Sequence, residues 1–326
     1  MKDHRGNSGE FAGLSQETLR WIEERTGNGA KVISAVSLKG GISSAVYGLK
    51  INQADLCHET VLRQFTNTAW LREEPDLAWH ETAALKAASA AGLPSPRWLA
   101  CDPDGRACGL PSVLMTRLPG RVMLDPADLP GWLDGLARML AEIHAAEGPP
   151  IEWSYFTYNE VSRLDVPVWT RVPGVWQRII DRVQGPVPSF RPQFIHRDYH
   201  PTNVLWQEGV VRGVVDWVNA CMGPAGIDTG HCRLNLVQMY GVEAAEVFLH
   251  SYLAAARPDR CDVNDPYWDM LCLIEMLPGP PEVYRGWLDL GLNGLTPELL
   301  ARRLDDYAEN LVRKLISSGN GRYRNN

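Results

Sequence analysis

Three oxygen-bearing side chains in this sequence have the types and spacing to do chemistry together. Phe194-Ile-His-Arg-Asp-Tyr-His-Pro-Thr-Asn-Val-Leu-Trp206 places an acid at Asp198 and an amide at Asn203, and Gly213-Val-Val-Asp-Trp217 adds a second acid at Asp216. The first stretch reads as a loop. It leads into two short β-type runs, Asn203–Trp206 and Val210–Val215, joined by the turn Gln207-Glu208-Gly209. Such a hairpin can bring all three side chains to one end of a small sheet. An amide and a carboxylate are hard oxygen ligands of the kind Mg²⁺ accepts beside substrate phosphates. A further carboxylate that holds no metal suits a base that orients and deprotonates an attacking hydroxyl.

A second feature lies upstream. Leu38-Lys-Gly-Gly-Ile-Ser-Ser-Ala-Val46 sits between two β-type runs, where glycines let backbone N–H groups approach phosphate oxygens. Gly40, Gly41, Ser43 and Ser44 are therefore candidate phosphate contacts, although a Gly-Gly hairpin turn has the same composition.

The elements that must position these residues fall into two regions. Ser15 to Gly27 reads as a capped helix, followed by strands over Lys31–Leu38, Ala45–Ile51 and Glu59–Phe65 in an antiparallel meander. A helix over Pro75–Ala91 and strands over Arg97–Cys101 and Ser112–Leu118 complete the first region. Beyond Gly120 helical patterns dominate: Trp132–Ala146, Val175–Val183, Cys232–Tyr240, Val242–Ala256 and Pro297–Ile316. Thr296-Pro297-Glu298 supplies a capping hydroxyl, a proline at the first helical position and an early acid. This pattern predicts an α+β chain of two lobes, 1–116 and 117–326.

Composition narrows the function. The chain has 326 residues, 45% hydrophobic and 22% charged, as expected of a globular protein with a substantial core. Its formal net charge of −7 argues against a nucleic-acid partner. No apolar run is long enough for a membrane span, and the polar N-terminus carries no signal-like segment. The seven cysteines are scattered and include no CxxC pair, so they read as reduced thiols of a cytoplasmic protein.

His196-Arg-Asp198-x4-Asn203 followed by Asp216 matches the catalytic-loop and metal-acid pattern of the protein-kinase-like fold. In detail it resembles the aminoglycoside phosphotransferase family, a group of small-molecule kinases. Asp216-Trp217 stands where protein kinases have Asp-Phe-Gly, and Gly223-Pro-Ala-Gly-Ile-Asp228 resembles the family's glycine-and-acid segment. The interval from Asp216 to Asp228 leaves no room for a protein kinase's activation segment.

The resemblance implies a two-lobed fold with an antiparallel-sheet N-terminal lobe that binds nucleotide and a mainly helical C-terminal lobe that carries catalysis and the acceptor. It implies ATP and Mg²⁺ as cofactors, Asp198 as the base, and Asn203 and Asp216 as metal ligands. Arg63 falls at the position of the phosphate-gripping lysine, with Lys50 on the adjacent strand as the rival. Glu81 resembles the helix glutamate that pairs with that cation. Leu114-Met-Thr116 resembles the interlobe hinge, where main-chain groups read the base and leave GTP admissible. His196 becomes a loop histidine, His144 packs beneath the loop, and Asp228 holds the loop by accepting hydrogen bonds. Arg197, where the family more often has glycine, receives no role.

The implied reaction is transfer of the γ-phosphoryl group of ATP to a hydroxyl of a small molecule: an aminoglycoside, a related antibiotic or a metabolite. The alternatives are a non-catalytic nucleotide-binding module on the same fold and an atypical protein kinase. Asp269, Glu275, Glu282 and Asp289 could meet a polycationic acceptor, and Tyr267, Trp268, Tyr284 and Trp287 could line its pocket. A solvated acidic face and helix-packing aromatics explain the same residues.

Overall fold

The computed structural model describes residues 11, 13–38, 44–54, 56–256 and 265–322, with side chains as far as 317. The chain divides into two compact units. Met1–Pro119 and the returning segment Gly213–Val218 form the first, and Gly120–Arg212 with Asn219–Asn326 form the second.

In the first unit, helix α1 (Gln16–Thr26) begins where the Ser15 hydroxyl accepts from the Thr18 N–H at 3.1 Å, and it ends at Gly27 with φ +74°. Five strands follow around two helices: β1 (Lys31–Ser37), β2 (Ser44–Gln53), β3 (Leu56–Phe65), α2 (Thr68–Glu73), α3 (Leu77–Ala90), β4 (Trp98–Asp102) and β5 (Ser112–Thr116). They make one antiparallel sheet in the order β1-β2-β3-β5-β4. Helix α1 buries Leu19, Trp21 and Ile22 against Val32, Ala35, Leu49, Ile51 and Leu62. Helix α3 packs on β4 and β5, burying Leu85 together with Ala78, Ala84 and Ala88, whose small side chains allow close approach. α2, absent from the sequence expectation, is fixed by Asn67, whose side chain accepts from the Ala69 and Trp70 N–H groups.

The second unit contains α4 (Leu129–Ala145), α5 (Pro173–Gln184), β6 (Gln193–Ile195), β7 (Val204–Gln207), β8 (Val210–Val214), β9 (Cys221–Gly223), α6 (Ala225–Tyr240), α7 (Val242–Ala255), α8 (Tyr267–Leu273), α9 (Arg285–Asp289) and α10 (Pro297–Arg322). The end of β8 belongs to the returning segment, where the Val214 N–H donates to the Pro94 carbonyl at 2.8 Å. Helix α6 packs on α7 and α8, and α4 packs on α7.

Helix α6 starts seven residues earlier than the sequence expectation. Gly226, from the segment that resembles the family's glycine-and-acid stretch, and Gly230 are both helical and face α8. A Cβ at Gly226 would collide with the Trp268 ring, and one at Gly230 would come within 3.0 Å of the Trp268 carbonyl oxygen and Cys272 Sγ. These glycines serve close helix packing.

Candidate active site

In the second unit, residues 196–203 connect β6, which pairs with β9, to β7, which is anchored on α4. Trp206 of β7 stacks on Trp132 with centroids 6.1 Å apart, and its backbone exchanges hydrogen bonds with Arg121. The Tyr199 hydroxyl donates to the Leu136 carbonyl at 2.8 Å, tying the middle of the loop to α4 as well.

Asp228, fully buried in the first turn of α6, fixes the loop's main chain. Its carboxylate accepts from the His196 N–H at 2.8 Å and the Arg197 N–H at 2.6 Å, and one of its oxygens lies 3.0 Å from His144 Nε2. His144 Nδ1 meets the Tyr252 hydroxyl at 2.7 Å. These contacts match the loop-holding role expected of Asp228 and place His144 beneath it. His196 is fully buried against Tyr199.

Arg197 has φ +64°, a left-handed backbone that glycine adopts without strain. That conformation accounts for a glycine preference at this position. The arginine is accommodated because its side chain finds partners: the guanidinium donates to the Phe156 carbonyl at 2.7 Å and lies 4.3 Å and 4.6 Å from the Phe156 and Tyr158 ring centroids. It thereby tethers the aromatic segment 155–158 to the loop, a role the sequence did not disclose.

The Asp198 carboxylate is surrounded by donors. His231 Nε2 lies 3.2 Å from Oδ1, His200 Nε2 lies 3.5 Å from the same oxygen, and the Asn203 amide donates to Oδ2 at 3.2 Å. Burial alone would raise the carboxyl's pKa, but the charge and hydrogen bonds of His200, and then of His231, outweigh it and hold Asp198 well below the usual carboxylate range. Burial likewise opposes protonation of His231, while Asp198 and Glu275 favour it and push its pKa up to about 10. Asp198 is therefore ionised at neutral pH. The Asn203 nitrogen also donates to the Asp198 carbonyl at 2.9 Å, so only the amide oxygen could serve a metal.

Sequence reasoning missed His231, which lies just before the helix expected from Cys232; in the structure it stands on α6 three residues after Asp228 and shares its face. The acceptor-side candidates divide. Asp269 is buried in an ion pair with Arg233 and accepts from the Tyr307 hydroxyl, and Tyr267, Trp268 and Trp287 are buried packing residues. Glu275 is exposed and lies 3.7 Å from His231.

In the first unit the candidate cation sits among carboxylates. Arg63 on β3 is buried, with Nη1 2.7 Å from Glu81 on α3, Nη2 2.7 Å from Asp216 and Nε donating to the Ser44 hydroxyl at 2.9 Å. Burial disfavours the guanidinium charge, but the two carboxylates outweigh it and keep Arg63 protonated. Glu81 is pushed up by burial and only partly drawn back by Arg63. Asp216 has φ +67°, a turn conformation Asp tolerates better than most residues. Lys50 is exposed on β2.

Leu114 and Met115 require a correction. β5 lies between β3 and β4, where Leu114 pairs with Leu62 and Ala100 and Met115 with Val61 and Trp98. Thr116 is bonded to Arg97 through both its N–H and its hydroxyl. Main-chain groups held on both edges of a ladder are not available to read a nucleotide base. Gly40, Gly41 and Ser43 lie outside the described residues.

The sequence profile of the phosphotransferase enzyme family, APH, matches residues 34–263. The chain belongs to this family. No match was found among curated proteins. Among solved structures, a Ralstonia eutropha JMP134 protein provisionally described as an aminoglycoside phosphotransferase is 18% identical, with a TM-score of 0.59 over 92% of this chain and 98% of that one. Aminoglycoside phosphotransferase APH(4)-Ia, in ternary complex with ADP and hygromycin B, is 16% identical with a TM-score of 0.56, over 92% and 99% of the two chains. Amicoumacin kinase hAmiN, in complex with AMP-PNP, Ca²⁺ and Ami, is 15% identical with a TM-score of 0.53, over 85% and 88%. These likenesses establish the kinase-like fold, with a five-stranded antiparallel sheet in the first unit and helices dominating the second. Among the described residues no helix is long and apolar enough to cross a membrane.

Proposed function

We propose that this family member transfers the γ-phosphoryl group of ATP, with Mg²⁺, to a hydroxyl of a small molecule, with Asp198 as the base. The observation that carries this reading is the presentation of Asp198. Its loop is gripped at two successive amides by a buried carboxylate, and its own carboxylate is ionised and fixed by Asn203. A base that must accept a proton from an alcohol only as the alcohol attacks needs this combination of ionisation and fixed aim.

The donor set fits a divalent ion. Asp216 offers a half-exposed carboxylate and Asn203 an amide oxygen, both hard ligands. When bound, Mg²⁺ supplies charge neutralisation for the phosphoryl oxygens. Arg63, with its rotamer fixed by Glu81, is the phosphate-gripping cation. The base is read by main chain beyond Thr116, which leaves ATP and GTP both admissible. The acceptor O–P bond forms as the β–γ bridging P–O bond breaks, the hydroxyl proton passes to Asp198, and the nucleoside diphosphate leaves.

An arginine where the kinase-like fold has lysine is what would favour a non-catalytic module; the bonds of Arg63 to Glu81 and Asp216 speak against that reading, because an arginine so held can make the lysine's pairing. Hygromycin B and amicoumacin-type acceptors of the structural neighbours define the first compounds to try.

The test is γ-labelled ATP with Mg²⁺ and a panel of aminoglycosides, macrolides, choline, homoserine and sugars. Label in one small molecule is expected, falling by roughly 10²–10⁴ in Asp198→Asn while nucleotide binding persists. Unchanged turnover in that variant removes Asp198 as the base. Label appearing in protein instead identifies an atypical protein kinase.

A further inference from the structure

Asp198, His200 and His231 do more than share hydrogen bonds: they have the composition and spacing of a metal centre. One ligand atom from each lies within 4.8 Å of the others. The separations from Asp198 Oδ1 are 3.2 Å to His231 Nε2 and 3.5 Å to His200 Nε2. A tetrahedral zinc ion with bonds near 2.1 Å holds its ligand atoms about 3.4 Å apart, so the two separations from Asp198 already stand at ligand spacing.

The supporting contacts are of the right kind too. A ligating imidazole is normally oriented by a hydrogen bond at its other nitrogen, commonly to a carboxylate or hydroxyl. His200 Nδ1 is 2.8 Å from the Thr202 hydroxyl, and His231 Nδ1 is 3.7 Å from Glu275. An ion taken at the two Nε2 atoms displaces the proton that His231 shares with Asp198 and the Asn203 amide that lies 3.3 Å from His200 Nε2. The three side chains come from the loop and from α6, elements already fixed through Asp228 and Tyr199, and they keep partial exposure, so an ion can enter.

We propose that Asp198, His200 and His231 form a three-ligand site for a divalent transition metal of the zinc type, with a fourth position open, and that an ion bound there blocks phosphoryl transfer by occupying the base. Two imidazoles select against Mg²⁺, whose preference is for oxygen, so the site is distinct from the one assigned to Asn203 and Asp216. Blocking rests on Asp198 being the base; binding does not.

The test uses Co²⁺ as a spectroscopic probe on the full chain freed of metal. One equivalent is expected to bind with the visible absorption of a low-symmetry four-coordinate ion. Affinity should fall at least about tenfold in His200→Gln and in His231→Gln and stay unchanged in His250→Gln. His200 is the safer variant if the His231 change unfolds the protein, since thermal denaturation identifies that outcome and the His200→Gln titration then decides. No saturable one-equivalent binding, or equal binding in wild type and His200→Gln, overturns the site. In the second arm, zinc is expected to inhibit the wild-type phosphotransferase more strongly than it inhibits His200→Gln, each measured against its own zinc-free rate. Equal inhibition overturns the blocking role. A chain that binds Co²⁺ but transfers no phosphate refutes the proposed reaction and leaves the site standing.

Discussion

Replacing Arg63 by Met tests whether the first unit depends on its buried charge cluster. At about 4 Å between charge centres, each carboxylate pairing gains about 4 kcal/mol at an effective dielectric near 20, before desolvation is subtracted. Glu81 has a side chain only 2% exposed and loses almost all of that compensation, whereas Asp216 is 30% exposed and recovers part of it from water. The net cost expected for stranding one buried carboxylate is about 3–5 kcal/mol. Arg63→Met with Glu81→Leu removes both charges and should recover most of the loss, because well-packed apolar side chains often replace buried ion pairs at little cost.

Native-state hydrogen exchange of β3 amides reads this opening energy within the first unit. The deficit of Arg63→Met should also depend on pH. Burial raises the Glu81 carboxyl in the fold, and removing its cation raises it further. The folded state then binds the proton more tightly than the unfolded chain, so stability falls as pH rises from about 4.3 toward the elevated folded value. A loss below about 1 kcal/mol, or a double variant no more stable than the single one, would refute the reasoning.

Asp228→Asn keeps the shape but presents an amide nitrogen toward one of the two N–H groups that the carboxylate accepts from. A stability loss of about 1–3 kcal/mol by urea denaturation is expected, with turnover reduced in the surviving native protein; an unchanged midpoint and rate would discard the loop-holding role. At position 197, glycine relieves the left-handed backbone while alanine does not, so Arg197→Gly should be about 1 kcal/mol more stable than Arg197→Ala, and equal stability would deny the strain. Burial pushes the thiols of Cys108 and Cys221 up to about 12. Both should stay unreactive toward thiol reagents at pH 8 until the protein unfolds, whereas the exposed Cys57 reacts in the native state, a contrast that peptide mapping of alkylated protein checks.

Much of this molecule was legible in its sequence because local and global signals agreed. The three-strand meander announced itself through alternating patterns and polar turns, although β2 and β3 extend to Gln53 and from Leu56 with exposed polar residues that dilute the alternation. The loop acids and amide could be read because their order and spacing are constrained by chemistry. What escaped depended on tertiary neighbours. The helix expected from Cys232 left out Gly226 and Gly230, and only the bulk of Trp268 shows why a helix needs glycine there. α8 and α9 are seven and five residues long, too short for a 3.6-residue period to establish itself. The paired edges of β5 make Leu114 and Met115 unsuitable as base readers, a fact visible only once β4 is known to lie beside it. His231 fell just before the helix expected from Cys232, so the face it shares with Asp228 showed only once α6 was seen to begin at Ala225.

Asp228 takes hold of residues 196 and 197 by their amides alone, so nothing in that grip depends on what side chain stands at 197. The arginine there, and with it the aromatic strap at 155–158, can be exchanged without disturbing the aim of the neighbouring acid. Substitution at 197 can therefore change what packs on residues 155–158 while both amide bonds to Asp228 stay in place.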